Sequence, residues 1–202
     1  MRRRNGIPIG RERLMHQRQF LRVVVLGALL SASGWAGHSG QDKTNLAGLK
    51  KGIEVFESVL NQNLAKAFGG PFETLDRARG AYLPGYGVVF AFEVNLTPLE
   101  DLGPFAPAPT ARDEQAERQE EVRRGMKAKG VAEEVLGSFG QTLGSLTPDE
   151  SVTIVIHTVA AHPGKIERST IVLSAPKKLV DERFSHLIDQ TEFVRKLSTT
   201  EY

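Results

Sequence analysis

The side chains with the clearest chemical potential are an acid and a histidine in two separate strand-like segments. Glu93 and His157 each interrupt a run in which apolar residues alternate with other residues. A carboxylate and an imidazole that meet on one surface can act as a general acid and a general base. Glu93 and His157 are therefore the candidate catalytic residues of a cysteine-independent hydrolase, with Arg79 or Arg168 beside them. The alternative is an ordinary cross-strand ion pair between Glu93 and one arginine.

Two tyrosines flank a predicted turn shortly before Glu93. Tyr82 and Tyr86 stand on either side of Pro84-Gly85, a pair typical of a tight turn because proline presets φ and glycine accepts a positive φ. Tyrosine combines a large apolar ring with a polar tip, which suits binding surfaces. The alternative is that both rings only pin the hairpin and leave their hydroxyls in water. The candidate binding site comprises Arg79, Tyr82, Tyr86 and Glu93.

Several classes of site are excluded by what the sequence lacks. The chain has no cysteine, so disulfides and thiolate metal sites are impossible. It contains no nucleophile elbow, no His-Glu-x-x-His motif, no phosphate loop and no dinucleotide fingerprint. The four histidines after the leader do not form a spaced pair on one element; they are His38, His157, His162 and His186. We therefore predict neither a cofactor nor a metal.

The first 36 residues have the layout of a secretory signal peptide. Residues 23–30 form an apolar run that follows a basic stretch and is too short to span a bilayer comfortably. Gly34 and Ala36 place small side chains at the positions that a signal peptidase reads, which predicts cleavage before Gly37. The alternative is an uncleaved apolar helix that tethers the protein to the envelope membrane.

The leader also bears on the start site and the export route. The tract before Met15 is long and polar for a signal peptide, so Met15 is the predicted true start. Residues 17–22 resemble the twin-arginine export motif, but glutamine stands where the first arginine belongs. Export by the Sec route is therefore predicted ahead of twin-arginine export. Without a cysteine, no acylated lipoprotein anchor is possible.

The charge of the chain is distributed unevenly. The whole sequence carries +2, with 26 basic and 24 acidic residues, but residues 1–36 hold seven arginines and one acid. The remaining 19 bases and 23 acids give residues 37–202 a net charge of −4. Nucleic acid is therefore not an expected partner, although the sequence pI of 8.9 alone would suggest it. The expected partner is an unknown protein or a small-molecule ligand, with membrane contact only through an uncleaved N-terminal segment.

Five predicted elements must position these residues. A first helix begins at the cap Thr44, and its apolar stripe has helical spacing: Leu46, Leu49, Ile53, Phe56, Leu60, Leu64 and Phe68. A hairpin on Pro84-Gly85 follows, and its second strand buries Val88, Phe90, Phe92, Val94 and Leu96. A charged, solvated helix is predicted over 110–129 with a break near Gly130, then a hairpin that turns at residues 162–165. A last helix starts at Pro176.

This order predicts an α+β fold of two layers. We expect a four-stranded antiparallel sheet made of two Pro-Gly hairpins, with three helices packed on one face. The predicted divisions are a signal peptide at 1–36, a flexible exit segment at 37–44, one domain at 45–197 and a polar tail at 198–202. A proline-rich loop at 97–109 belongs to the domain, as a lid or a plain surface excursion.

The function predicted from these features is that of an exported, bacterial-type binding or interaction module in the periplasm or outside the cell. It rests on the leader, on the lack of a nucleophile or metal motif, and on the hairpin with two tyrosines. The hydrolase that uses Glu93 and His157 is the first alternative. An envelope protein tethered by its uncleaved apolar helix is the second.

Overall fold

The computed structural model describes residues 45–68, 74–97, 111–162 and 164–202. Within these residues the predicted α+β class is confirmed, with one sheet and helices packed against it. The α-helices are α1 (Leu46–Ala67), α2 (Ala111–Phe139), α3 (Lys177–Phe184) and α4 (Gln190–Lys196). The strands are β1 (Thr74–Leu83), β2 (Gly87–Asn95), β3 (Ser151–His162), β4 (Lys165–Pro176) and β5 (Ser198–Glu201). The predicted signal peptide, exit segment, cap at Thr44 and most of the proline-rich loop lie outside the described residues.

The sheet differs from the predicted one in strand number and direction. Its order is β1-β2-β3-β4-β5, and β2 runs parallel to β3 while the other pairs are antiparallel. The prediction of four antiparallel strands was wrong because α2 lies in the connection between the two hairpins. A helical crossover returns the chain to the end of the sheet at which β2 begins, so β3 runs in the same direction as β2.

Two further differences occur near the C-terminal end. The single last helix of the prediction is two short helices, α3 and α4, so the described residues hold four α-helices and not three. His186 between them has a φ of 57°, a left-handed conformation that ends a helical path. The polar residues at 198–201, predicted as part of a tail, form β5 and pair with β4.

The core lies between the helices and one face of the sheet, as the alternation predicted. Val88, Phe90, Phe92 and Val94 of β2 are buried, and they join buried residues of all four helices in one cluster. The Phe56 ring of α1 stacks on the Phe90 ring with centroids 4.3 Å apart. Burial of such side chains is the main source of stability in a chain that has no disulfide.

The predicted stripe of α1 is buried with one exception. Leu49, Phe56, Leu60, Leu64 and Phe68 belong to the core, and Ile53 packs against it. Leu46 in the first turn is instead 63% exposed. Asn45 caps this helix, because its side-chain Oδ1 accepts from the Gly48 N–H at 3.0 Å.

α2 is one continuous helix of 29 residues, and the break predicted near Gly130 is absent. Opposite charges at helical spacing form the ion pairs Glu114–Arg118 and Glu120–Arg124, at 3.5 and 3.0 Å. The helix is not solvated all round, however. The Arg124 side chain is almost fully buried and donates to the Leu96 carbonyl at the end of β2. This contact fixes the charged half of α2 against the sheet.

Candidate functional site

The candidate residues are distributed over the two faces of the sheet. We call the face that turns away from the core the open face. Its central residues are Val89, Ala91 and Glu93 of β2, Thr153, Val155, His157 and Val159 of β3, and Thr170, Val172 and Ser174 of β4. Successive strand residues point to opposite faces, so the burial of Phe90 and Ile154 sends their neighbours to the open face.

The open face aligns Glu93, His157 and Thr170 in one row across three strands. Glu93 is the register partner of His157, and His157 is the register partner of Thr170. The His157 imidazole Nδ1 lies 3.2 Å from the Thr170 hydroxyl oxygen. Among the described residues, no ion pair within 4.0 Å joins the Glu93 carboxylate to the imidazole. The two candidate catalytic residues are therefore neighbours on one surface without a direct hydrogen bond.

The two tyrosines, which are close in sequence, lie on opposite faces. Tyr86 belongs to the open face, where its hydroxyl lies 2.9 Å from the Thr153 hydroxyl, which in turn lies 2.8 Å from the Ser174 hydroxyl. We call these three residues the hydroxyl row. Tyr82 points to the helical side and donates to Glu150 Oε1 at 2.7 Å. Both hydroxyls therefore have protein partners, which neither sequence interpretation anticipated.

Neither arginine lies opposite Glu93. The register of β1 pairs Arg79 with Ala91, because irregularities in β1 bring Asp76 opposite Glu93 instead. Arg168 pairs with Val159 at the far end of β4 and is exposed. Tyr86 and Glu93 share the open face, but the Tyr86 hydroxyl lies beside Thr153, four residues along β3 from the register partner of Glu93. The structure does not bring the four candidate binding residues into one cluster.

The helical side of the sheet holds a concave surface that sequence reasoning missed. It has a volume of about 570 Å³ and lies between α2 and the ends of β3 and β4. We call it the α2 groove. Its base on the sheet includes Thr158, Ala160 and Ile171, which are buried. Its wall on α2 includes Val122, Gly125 and Met126, and the valine and methionine are 63% and 68% exposed.

Charged groups surround this groove. The acids are Glu121, Glu133, Glu167 and Glu201, and the bases are Lys129 and Arg168. Lys129 binds Glu201 at 3.1 Å, and Glu167 binds Lys165 at 2.6 Å. Partial burial raises the pKa of Glu133, and the charge of Lys129 opposes that shift. The sequence did carry a signal for the groove, namely two apolar residues and a glycine on one side of an otherwise charged helix.

Two kinds of feature are absent from the described part of the chain. No cluster of three or more histidine, aspartate or glutamate side chains there is arranged to hold a metal ion. In the same residues, no helix combines the length and the apolar character needed to span a bilayer. The described sheet therefore offers hydroxyls, carboxylates and the imidazoles of His157 and His162, and the groove lies beside it.

Comparison of the chain with models of known protein families, with curated proteins and with solved structures found no match. Function is therefore argued from the surfaces of this chain alone.

Proposed function

We propose that the protein is an exported binding module that holds a partner protein against its open face, in the periplasm or outside the cell. The observation that supports this most is the apolar middle of that face. Val89, Val155 and Val172 are only partly buried, and none of them packs against the core. Contiguous apolar surface left in water favours a docking role over a purely solvated face.

The polar residues around these valines fit the same proposal. The hydroxyl row borders them on one side, and Glu93, His157 and Thr170 border them on the other. Apolar centres with polar rims are typical of protein interfaces. A broad sheet face suits a protein partner better than a small molecule, because small ligands favour concave sites. Tyr86, which is 45% exposed, is the aromatic anchor that such an interface needs.

The experiment places a photoreactive phenylalanine derivative at Val155 in the exported protein, in the cells that produce it. Irradiation should give a discrete adduct with one partner, and the variant Tyr86→Ala should give much less of it while keeping its melting temperature. The matched control places the same group at Ser138, an exposed position on α2. Equal adducts from both positions would contradict the proposal, as would an unchanged yield in Tyr86→Ala.

One observation favours the hydrolase as a second candidate. A hydroxyl, an imidazole and a carboxylate lie in one row, with 3.2 Å between Thr170 Oγ1 and His157 Nδ1. In this proposal His157 would take the proton of Thr170 as the hydroxyl attacks an ester carbonyl, and would return it to the alcohol that leaves as the ester bond breaks. Water would then hydrolyse the acyl-threonine and regenerate the hydroxyl. We rank it second because Glu93 makes no hydrogen bond or ion pair with the imidazole among the described residues, and because His157 is exposed to water. Hydrolysis of p-nitrophenyl acetate that survives in both His157→Ala and Thr170→Val would refute it.

A further inference from the structure

The α2 groove lies on the opposite side of the sheet from the open face. Its apolar lining comes from two sources, Val122 and Met126 on the helix and Ile171 on the sheet. Val122, Met126, Lys129 and Glu133 recur at helical spacing, so one side of α2 presents an apolar half followed by a charged half. The volume of about 570 Å³ falls within the range of small-molecule sites, roughly 300–1,000 Å³.

The charges of the groove are not balanced. Four carboxylates and two cations line it. Lys129 pairs with Glu201 and Lys165 pairs with Glu167, which leaves Glu121 and Glu133 against the exposed Arg168. Glu121 lies 3.4 Å from the Thr97 hydroxyl and 3.6 Å from the His162 imidazole. The groove therefore has excess negative charge beside an apolar wall.

Glu133 is the groove carboxylate to which a bound cation would contribute most. Its side chain makes no hydrogen bond or ion pair within the described residues, although it is partly buried. Burial raises its pKa more than the nearby charge of Lys129 lowers it, so the ionised form is only partly stabilised. A cation placed beside it would restore that stabilisation.

We propose that the α2 groove binds a small organic cation with an apolar body. Its ammonium group lies against Glu133, and its hydrocarbon covers Val122, Met126 and Ile171. The apolar wall excludes a bare metal ion as the best occupant, and the excess of carboxylates excludes a fatty acid or other organic anion. The size of the groove favours a small molecule over a peptide helix.

The probes are three molecules with the same tail: octylammonium, octanoate and octanol, each below its micelle-forming concentration. Binding to the full chain is measured by isothermal titration calorimetry, with NMR shifts to locate it. Octylammonium should bind about tenfold more tightly than octanol, and octanoate should bind more weakly than both. Equal binding of octylammonium and octanoate would overturn the proposal, since it would leave only an apolar surface.

The first pair of variants tests the location of the site by placing a leucine side chain inside or outside the α2 groove. A Cβ added at Gly125 or at Gly130 meets no atom within 4 Å, so Gly125→Leu and Gly130→Leu should both fold and strengthen the helix. Gly125 lines the groove, and Gly130 does not. Gly125→Leu should weaken octylammonium binding at least tenfold and Gly130→Leu should leave it unchanged. Equal affinities in the two variants would overturn the proposed location.

The second pair removes the charge. Glu133→Gln should weaken octylammonium binding about fivefold to tenfold and should leave octanol binding unchanged. Glu134→Gln, at the next and exposed position of α2, makes the same change of charge outside the groove and should have no effect. Equal effects of the two variants would mean that octylammonium responds to the overall negative charge of α2 and not to a contact with Glu133.

Tighter binding of a basic amphipathic peptide than of octylammonium would assign the groove to a protein partner and overturn the small-molecule proposal. None of these variants touches the open face, so the proposed function is tested separately.

Discussion

The two tyrosines show how neighbouring residues of one type acquire different roles. Tyr82 is tied into the structure from the helical side, because its hydroxyl donates to Glu150. Glu150 is only 5% exposed, and its other oxygen accepts from the Thr147 N–H at 2.8 Å and from the Thr147 hydroxyl at 3.2 Å. Tyr82 thus connects the first hairpin to the turn before β3. Tyr86, in contrast, stands on the open face with its ring half in water.

We predict that Tyr82→Phe lowers the free energy of unfolding by about 1–2 kcal/mol, because it removes a hydrogen bond to a buried carboxylate. Tyr86→Phe, the matched control, should cost less than about 1 kcal/mol, since solvent can replace its hydrogen bond. Chemical denaturation of both variants measures the difference. A larger loss for Tyr86→Phe would show that the open face is the structural side and would weaken its assignment as a docking surface.

At this scale, the sequence predicted burial well and side-chain partners poorly. The alternation after Gly87 correctly placed Val88, Phe90, Phe92 and Val94 in the core. It also placed Glu93 and His157 off that face. Alternation says nothing of register, however, so it could not show that Arg79 lies opposite Ala91. Register depends on local irregularities of β1 that leave no clear mark in the sequence.

At the scale of elements, α1 acts as a cover for the outer edge of the sheet as well as for its face. The Asn61 side chain of α1 makes two hydrogen bonds to Ala78 of β1: its Oδ1 accepts from the Ala78 N–H at 2.8 Å, and its Nδ2 donates to the Ala78 carbonyl at 3.1 Å. Glu57 accepts from the Gly80 N–H at 2.7 Å. These side chains take the place of a further strand, which protects an edge that would otherwise invite pairing with another chain.

We therefore predict that Asn61→Ala destabilises the protein by about 2 kcal/mol and promotes self-association, because it leaves two backbone groups of the edge unpaired. The control is Asn63→Ala, since that side chain donates only to the Val59 carbonyl of its own helix. Denaturation midpoints and light scattering test both effects. Identical behaviour of the two variants would mean that water satisfies Ala78 as well as Asn61 does.

Local patterns predicted α1 and the two hairpins: helical spacing predicted the helix, and alternation with turn residues predicted the hairpins. The number and length of the other elements depend on contacts between residues that are distant in sequence. Gly125 and Gly130 suggested a break in α2, and the helix continues because contacts outside it compensate for the low propensity of glycine. One such contact joins buried Arg124 to the Leu96 carbonyl. β5 has no apolar residue, so nothing in its pattern marked it as a strand; it forms because β4 offers a free edge.

For the whole molecule, the connection between the two hairpins decides the topology. Each hairpin is local and its sequence pattern revealed it, whereas their relative direction depends on how 54 residues between Leu96 and Ser151 return to the sheet. The parallel pairing of β2 and β3 follows from α2 packing over the helical side as a crossover. This pairing also creates both surfaces proposed here, because it aligns Glu93 with His157 and sets α2 beside β3 and β4.

The last prediction concerns the charge of the whole protein after export. The complete chain has a sequence pI of 8.9, but residues 37–202 carry a net charge of −4. If translation starts at Met1 and the leader is cleaved before Gly37, the protein recovered from outside the cytoplasm should focus at an acidic pH, because seven arginines leave with the leader. With a start at Met15 only Arg18 and Arg22 leave, and the net charge changes from −2 to −4. Isoelectric focusing with N-terminal sequencing measures this directly. Ala36→Leu should block cleavage, since the peptidase requires a small side chain there, and the protein should then keep the residues before Gly37 and stay membrane-associated. An N-terminus before Gly37 in the unaltered protein would favour the tethered alternative or another cleavage site. Normal processing of Ala36→Leu would contradict the assignment of Ala36 as the residue that the peptidase reads.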